Sequence, residues 1–205
     1  MFTGIVKSVG KLGAVDAHGG DVRMQIHFPA REMQALKPGD SIAVNGCCLT
    51  VIEKLPDGFR VDASRETLDL TTLGALKPGA RLNLESAMTL STPLGGHLVS
   101  GHVDGVGSVR ARSQDARSVR FKIEAPAELI RYIARKGSIC VDGVSLTVNF
   151  VDAVGFEVNI VPHTLEHTIL DEYRKGTRVN LEVDMMARYL ERLLEAQTAV
   201  GGGRH

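Results

Sequence analysis

The chain has 205 residues, 43% of them hydrophobic and 23% charged, and its formal net charge is zero. That length suits one large domain or two small ones, and the balanced charge excludes a strongly basic nucleic-acid binder or an acidic solvating tail. Three cysteines, Cys47, Cys48 and Cys140, form neither a disulfide framework nor a zinc-ligand spacing, so they read as reduced thiols.

The chain opens MFTGIVKSVG. This has no charged n-region and no long apolar run, so it is not a signal peptide. No stretch approaches the roughly 18 apolar residues of a membrane span. The expected compartment is the cytoplasm, with no membrane and no nucleic acid as partner. A strand is predicted to begin near residue 1. Two strands joined by a hairpin follow, then a short helix at REMQAL, 31–36. The turn KPGD leads to the strand SIAV, and a glycine-containing turn leads to the strand LTV. A hairpin turn at PDG brings another strand. A loop carrying RETL then precedes the last strand, RLNLE. Period-2 alternation in SIAVNG and RLNLES, with 22 glycines in the chain, favours an all-β domain.

The same order returns from residue 98. Displaced so that Gly4 falls on Gly101, the chain aligns with itself without a net gap. Ser41, Ile42, Val44, Gly46, Leu49, Thr50 and Val51 fall on Ser138, Ile139, Val141, Gly143, Leu146, Thr147 and Val148. In the second copy the helix reads AELIRYIAR, 127–135, and the loop reads PHTL. A repeat this long is a domain, not a solenoid unit. The fold predicted is two tandem homologous six-stranded antiparallel Greek-key β-barrels, 1–95 and 96–184, each closed so that no edge is exposed. STPLGG (91–96) marks the junction.

Residues 185–205 break the repeat. DMMARYLERLLEAQ, 184–197, starts with Asp184 as a predicted N-cap. Met186, Tyr189, Leu190, Leu193 and Leu194 recur at helical spacing. The stripe either packs on its own barrel or makes an oligomer contact. The second is favoured because both barrels are complete without it. The tail GGGRH reads as disordered.

The differences between the copies carry the chemistry. Strand alternation puts Cys48 and Thr50 on one face, and Ser145 and Thr147 on the equivalent face. Each pair is a pocket wall or a tight core filling. Ile5 falls on His102, so one copy has an imidazole able to move protons near neutral pH. Thr67 and Thr164 sit in matched loops, Asp62 falls on Asn159, and Asn45 falls on Asp142. Two similar clefts thus differ in charge and in proton-transfer capacity. They suit two like ligands used differently, or one working site beside a degraded copy. GxGxxG, P-loop, HExxH and nucleophile-elbow motifs are absent from the sequence.

MFTGIV, NGCCLTV, GGHLVSGHVDGVG, DGVSLTVN and VPHTLEHT together resemble the riboflavin synthase alpha chain, a family of lumazine-binding domains. The resemblance covers nearly the whole chain. It implies a transferase that dismutates two molecules of 6,7-dimethyl-8-ribityllumazine. One gives a four-carbon unit to the other, yielding riboflavin and 5-amino-6-ribitylamino-2,4(1H,3H)-pyrimidinedione, with no cofactor and no metal. It also implies homotrimers built through the C-terminal helices, and an active site between the N-terminal barrel of one subunit and the C-terminal barrel of the next. Some relatives associate with lumazine synthase.

By position, the resemblance places one lumazine against Gly4, Ile5, Val6, Cys48, Leu49, Thr50, Asp62, Ala63, Ser64, Arg65, Glu66 and Thr67. It places the other against Gly101, His102, Val103, Lys136, Ser145, Leu146, Thr147, Ile160, Val161, Pro162, His163, Thr164 and Leu165. His102 is the implied proton-transfer residue, with Thr147 or Ser145 nearby. Cys48 would polarise ring carbon C7 or add to it transiently, and Phe2 would cover the site. His163 stands where the family commonly has an acid. Two rivals are a non-catalytic chromophore protein of this fold and the flavin barrel of a reductase. The latter requires a nucleotide-binding α/β segment after it.

Overall fold

A computed structural model describes residues 1–29 and 35–201, with side chains through 197. Two closed six-stranded antiparallel barrels make up most of it. The first contains β1 (Ser8–His18), β2 (Asp21–His27), β3 (Ser41–Val44), β4 (Cys47–Leu55), β5 (Gly58–Ala63) and β6 (Arg81–Ser86), in the order β1-β2-β5-β4-β3-β6. The second repeats that order with β7 (Gly105–Asp115), β8 (Ser118–Glu124), β9 (Ser138–Val141), β10 (Val144–Val151), β11 (Gly155–Ile160) and β12 (Arg178–Val183). Closure comes from β1 on β6, with Val9 opposite Asn83, and from β7 on β12, with Val106 opposite Asn180. Alternate residues point inward. Ile42, Val44, Leu49, Val51, Phe59 and Val61 fill the first barrel. Ile139, Val141, Leu146, Val148, Phe156 and Val158 fill the second.

The chain departs from the predicted elements in several places. No strand begins at residue 1 or 98. Instead the two N-terminal segments pair with each other in an isolated antiparallel bridge, Phe2 with Val99. Phe2 N–H donates to the Val99 carbonyl at 2.7 Å, and Val99 N–H donates back at 3.1 Å. Gly4 (φ 73°) and Gly101 (φ 82°) turn the chain out of extended conformation before either barrel begins. The RETL and PHTL loops are short helices, α1 (Arg65–Leu70) and α3 (Pro162–Glu166). Ser64 caps α1 by accepting from Thr67 N–H, and Pro162 at the start of α3 fixes a helical φ. The AELIRYIAR helix is one turn only, α2 (Ala127–Ile130). Beyond it the chain tightens to three-residue turns, Tyr132 N–H to Leu129 O and Ile133 N–H to Ile130 O. These keep Ile133 on the core and let β9 start at Ser138. Most of the helix predicted at REMQAL, residues 31–34, lies outside the described residues, as does the end of the GGGRH tail.

Asn45-Gly46 and Asp142-Gly143 are the two-residue turns β3–β4 and β9–β10, with all four residues at positive φ. They are not cleft residues. They meet at the centre of the molecule, where the barrels pack turn to turn. A Cβ on Gly46 would lie 2.7 Å from Gly143 N. Asn83 Nδ2 donates to Asp142 O, and Asn180 Nδ2 donates to Asn45 O, both at 2.8 Å. Asp142 accepts from Asn180 N–H at 2.8 Å and from the Tyr173 hydroxyl.

The last helix, α4 (Met185–Gly201), is capped by Asp184, whose Oδ1 accepts from Met186 N–H at 3.0 Å. Its polar side is tied to the second barrel. Arg188 pairs with Asp104 and lies over the Tyr132 ring, and the Tyr132 hydroxyl donates to Glu191. Its apolar stripe does not pack on that barrel: Met186, Tyr189, Leu190, Leu193 and Leu194 are all more than half exposed. Among the described residues no helix is long and apolar enough to cross a membrane.

Candidate active site

Each barrel sends an arm to the other. A buried glutamate at the end of β6 or β12 shapes it. Glu85 accepts from Thr3 N–H at 2.7 Å, Thr3 Oγ1 at 2.6 Å and Gly4 N–H at 3.0 Å. Glu182 accepts from Ser100 N–H at 2.6 Å, Ser100 Oγ at 2.8 Å and Gly101 N–H at 2.9 Å. Burial pushes both carboxyls up, and the donated hydrogen bonds oppose that rise.

The arms then cross. Gly4 O accepts from Ser145 N–H at 2.7 Å, and Gly101 O accepts from Cys48 N–H at 2.8 Å. The resemblance groups Gly4, Ile5 and Val6 with Cys48; within one chain Gly4 and Val6 meet the other barrel instead. Val6 packs against the second barrel's core, and Val103 packs against the first's. Glycine is required at both crossings. A Cβ on Gly4 would lie 2.6 Å from Ser145 Cβ, and one on Gly101 would lie 2.6 Å from Cys48 Cβ.

Strand pleating sorts the remaining residues. Cys48 and Ser145 are half-buried and Thr50 and Thr147 exposed, all on the outer face of their strands. Leu49, Leu146, Ala63 and Ile160 point into the cores, so only their main chain can meet a ligand. Asp62 is held by Arg23 in a two-pronged pair at 2.8 and 2.9 Å, and that bond lowers its pKa. Ser64 Oγ lies 3.0 Å from Thr67 Oγ1, and Arg65 and Glu66 are exposed. Thr67 O and Thr164 O each accept from a threonine four residues on, Thr71 and Thr168, at 2.6 Å. Val161 and His163 are exposed, and the His163 ring lies 4.1 Å from that of His167. Pro162 and Leu165 are half-buried in α3. Lys136 is exposed, at φ 69°.

His102 is exposed beside a cavity of about 560 Å³ lined by Ser100, Asp104, Glu182, Arg188 and Tyr189. Ser145 and Thr147 do not line it. Within one chain His102 therefore belongs to the arm that meets Cys48. The neighbouring Cys47 thiol is buried and pushed up to about 12, which leaves it protonated and inert.

Three residues escaped the sequence reading. Glu85 and Glu182 are matched positions of the repeat, and the available signal is that an acid ending a buried alternating strand needs a partner. His97 lay inside a quoted motif but has no aligned equivalent. It is 8% exposed, and its Nδ1 lies 2.6 Å from Ser145 Oγ. The two surfaces thus differ in kind, one with a thiol and an exposed imidazole, the other with a hydroxyl and a buried imidazole. Among the described residues no group of three His, Cys, Asp or Glu could hold a metal ion.

A family model, "Lumazine binding domain", matches residues 3–87 and again 100–184. A riboflavin synthase of Mycobacterium bovis is 48% identical over 200 residues, covering 96% of this chain and 99% of that one. A riboflavin synthase of Photobacterium leiognathi is 44% identical over 195 residues, covering 95% and 89%. Among solved structures, LumP complexed with 6,7-dimethyl-8-(1'-D-ribityl) lumazine superimposes with a TM-score of 0.81 at 26% identity, covering 89% of this chain and 99% of that one.

Proposed function

We infer the function from one premise: the chain belongs to the riboflavin synthase family and carries its lumazine binding domain twice. It is a cytoplasmic transferase that dismutates two molecules of 6,7-dimethyl-8-ribityllumazine to riboflavin and 5-amino-6-ribitylamino-2,4(1H,3H)-pyrimidinedione. The observation that carries this reading is the pair of like surfaces with unlike polar groups, Cys48 with His102 and Ser145 with His97. One compound can occupy both and be used in two ways.

One lumazine loses a proton from its C7 methyl group and attacks the other as a carbon nucleophile. His102, the exposed imidazole, takes that proton. The barrels of residues 1–95 and 96–184 each hold one lumazine together with the arm of the other, and residues 185–205 carry the subunit contact. The exposed face of α4 joins three chains. The first barrel of one chain then faces the second barrel of the next, which brings His102 to the neighbour's Thr147 surface. Main-chain groups of β4 and β10 pair with the pyrimidine edge, and Thr67 and Thr164 offer hydroxyls to the ribityl chain. Stacking the two rings in fixed orientation contributes up to about 7–11 kcal/mol. Cys48 polarises C7 in this scheme and needs no thiolate.

The test is incubation of the purified protein with 6,7-dimethyl-8-ribityllumazine and no additive. Riboflavin and the pyrimidinedione should appear one to one. Tight binding without conversion would instead make this a chromophore carrier.

A further inference from the structure

Resting on the reading above, we propose that His97 is a positioning residue for the second lumazine surface, fixing the Ser145 hydroxyl as a donor to the bound ring. His97 lies outside both matched repeats, in the segment joining the barrels. It is pinned there. Its N–H donates to Thr3 O at 3.2 Å, and Thr3 is itself held by Glu85. The preceding Gly96 leaves no room for a side chain: a Cβ would meet Thr3 O at 2.1 Å and Ser145 Oγ at 2.9 Å. The ring therefore has one place to go, against Ser145.

The tautomer follows from burial. Desolvation pushes the His97 pKa down, so the ring is neutral and carries one hydrogen. Nε2 is buried and has no hydrogen-bond partner among the described residues. A buried bare N–H is rarer than a buried bare acceptor. The hydrogen therefore sits on Nδ1, where Ser145 Oγ accepts it at 2.6 Å. The Ser145 hydrogen must then point away from His97, over the surface it shares with Thr147. A hydroxyl oriented in advance pays no reorganisation when charge builds on a lumazine carbonyl or ring nitrogen. Cys48, the aligned equivalent of Ser145, packs instead against the Phe2 cluster. The two surfaces are thereby unequal by construction.

The experiment compares His97→Ala, His97→Asn and His97→Gln, each with Ser145 present and with Ser145→Ala. Turnover, riboflavin binding by fluorescence quenching and thermal unfolding are read for each. An Asn amide reaches the Nδ1 position, and a Gln amide reaches the Nε2 position. With Ser145 present, His97→Ala and His97→Gln should lower turnover about 10-fold, and His97→Asn should restore most of it. With Ser145→Ala, none of the three should cost more. Equal losses in both backgrounds overturn the proposal, as does a His97→Asn variant no better than His97→Gln. Should His97→Ala fail to fold, the Asn and Gln pair decides. Should the wild-type protein bind riboflavin but convert no lumazine, the function above fails. The same comparison, read in riboflavin binding, still judges His97.

Discussion

Cys48 N–H donates to Gly101 O at 2.8 Å, from the first barrel to the arm of the second. Ser145 and Gly4 make the reciprocal bond at 2.7 Å. Each candidate ligand surface therefore contains a strand of one repeat and an arm of the other.

The glutamates behind the arms should matter more than their distance from the ligand suggests. Glu182 accepts three hydrogen bonds and donates none. Glu182→Gln would turn an amide N–H₂ toward a backbone N–H, leaving a buried donor unpaired at a cost of about 1–3 kcal/mol. Chemical denaturation should show that loss. Turnover should fall with it, since His102 follows the released segment. Glu85→Gln should behave alike through Gly4 and Ser145. Unchanged turnover in both variants would separate the arms from the chemistry.

Gly101→Ala should be more damaging than most glycine substitutions. The residue sits at φ 82°, and its Cβ would lie 2.6 Å from Cys48 Cβ and 2.9 Å from the Phe2 ring. Strain and clash together cost at least about 1–3 kcal/mol. Gly176, at φ 91° with nothing within 4 Å among the described residues, is the control. Its alanine variant carries the strain without the clash, so the difference in unfolding free energy isolates the crossing.

Much of this was legible in the amino-acid order. Period-2 alternation and the internal repeat point to two β-barrels, and the barrels are there. Alternation also placed Cys48 and Thr50 opposite Leu49, as found. The crossing was not legible. Alignment lays Gly4 on Gly101 and Cys48 on Ser145, which pairs residues by likeness. Contact in a two-fold arrangement pairs each with the other's equivalent. Alignment alone presents Asn45 and Asp142 as a difference in cleft charge, because burial of a turn depends on the second barrel, which local pattern does not contain. The short helices α1 and α3 span too few residues to show a period, although Ser64 and Pro162 are their capping signals.

Stability should fall as pH rises from about 4 to about 7. Asp142 is fully buried, and burial raises its pKa to about 7. The folded state thus keeps a proton that the unfolded chain releases near the ordinary carboxylate value. Its contribution is complete below pH 4 and is lost as pH passes the folded pKa, an effect of a few kcal/mol in order of magnitude. Burial moves Glu85, Glu182 and Asp104 the same way, which adds to the slope. Asp142→Asn copies Asn45 at the equivalent turn. It should keep the acceptor for Asn180 N–H while removing the titration. Urea midpoints measured across this range should flatten in the variant. An unaltered slope would place the linkage on the glutamates and Asp104.

The face of α4 supplies the sharpest test of assembly. Leu190 and Leu193 are 59% and 65% exposed, on a helix whose opposite side is tied down by Arg188 and Glu191. Replacing both by Asp removes apolar contact without touching those pairs. Leaving each side chain in water instead of an interface forfeits about 1.5–3 kcal/mol, several times over in a symmetric oligomer. Sedimentation should show monomers, while circular dichroism and the melting of each barrel stay near wild type. If the proposed trimer builds the site, turnover should disappear with it, because His102 and the Thr147 surface then have no neighbour to meet. Monomers that still convert lumazine at the wild-type rate would show that one chain suffices, and the site between subunits would be discarded.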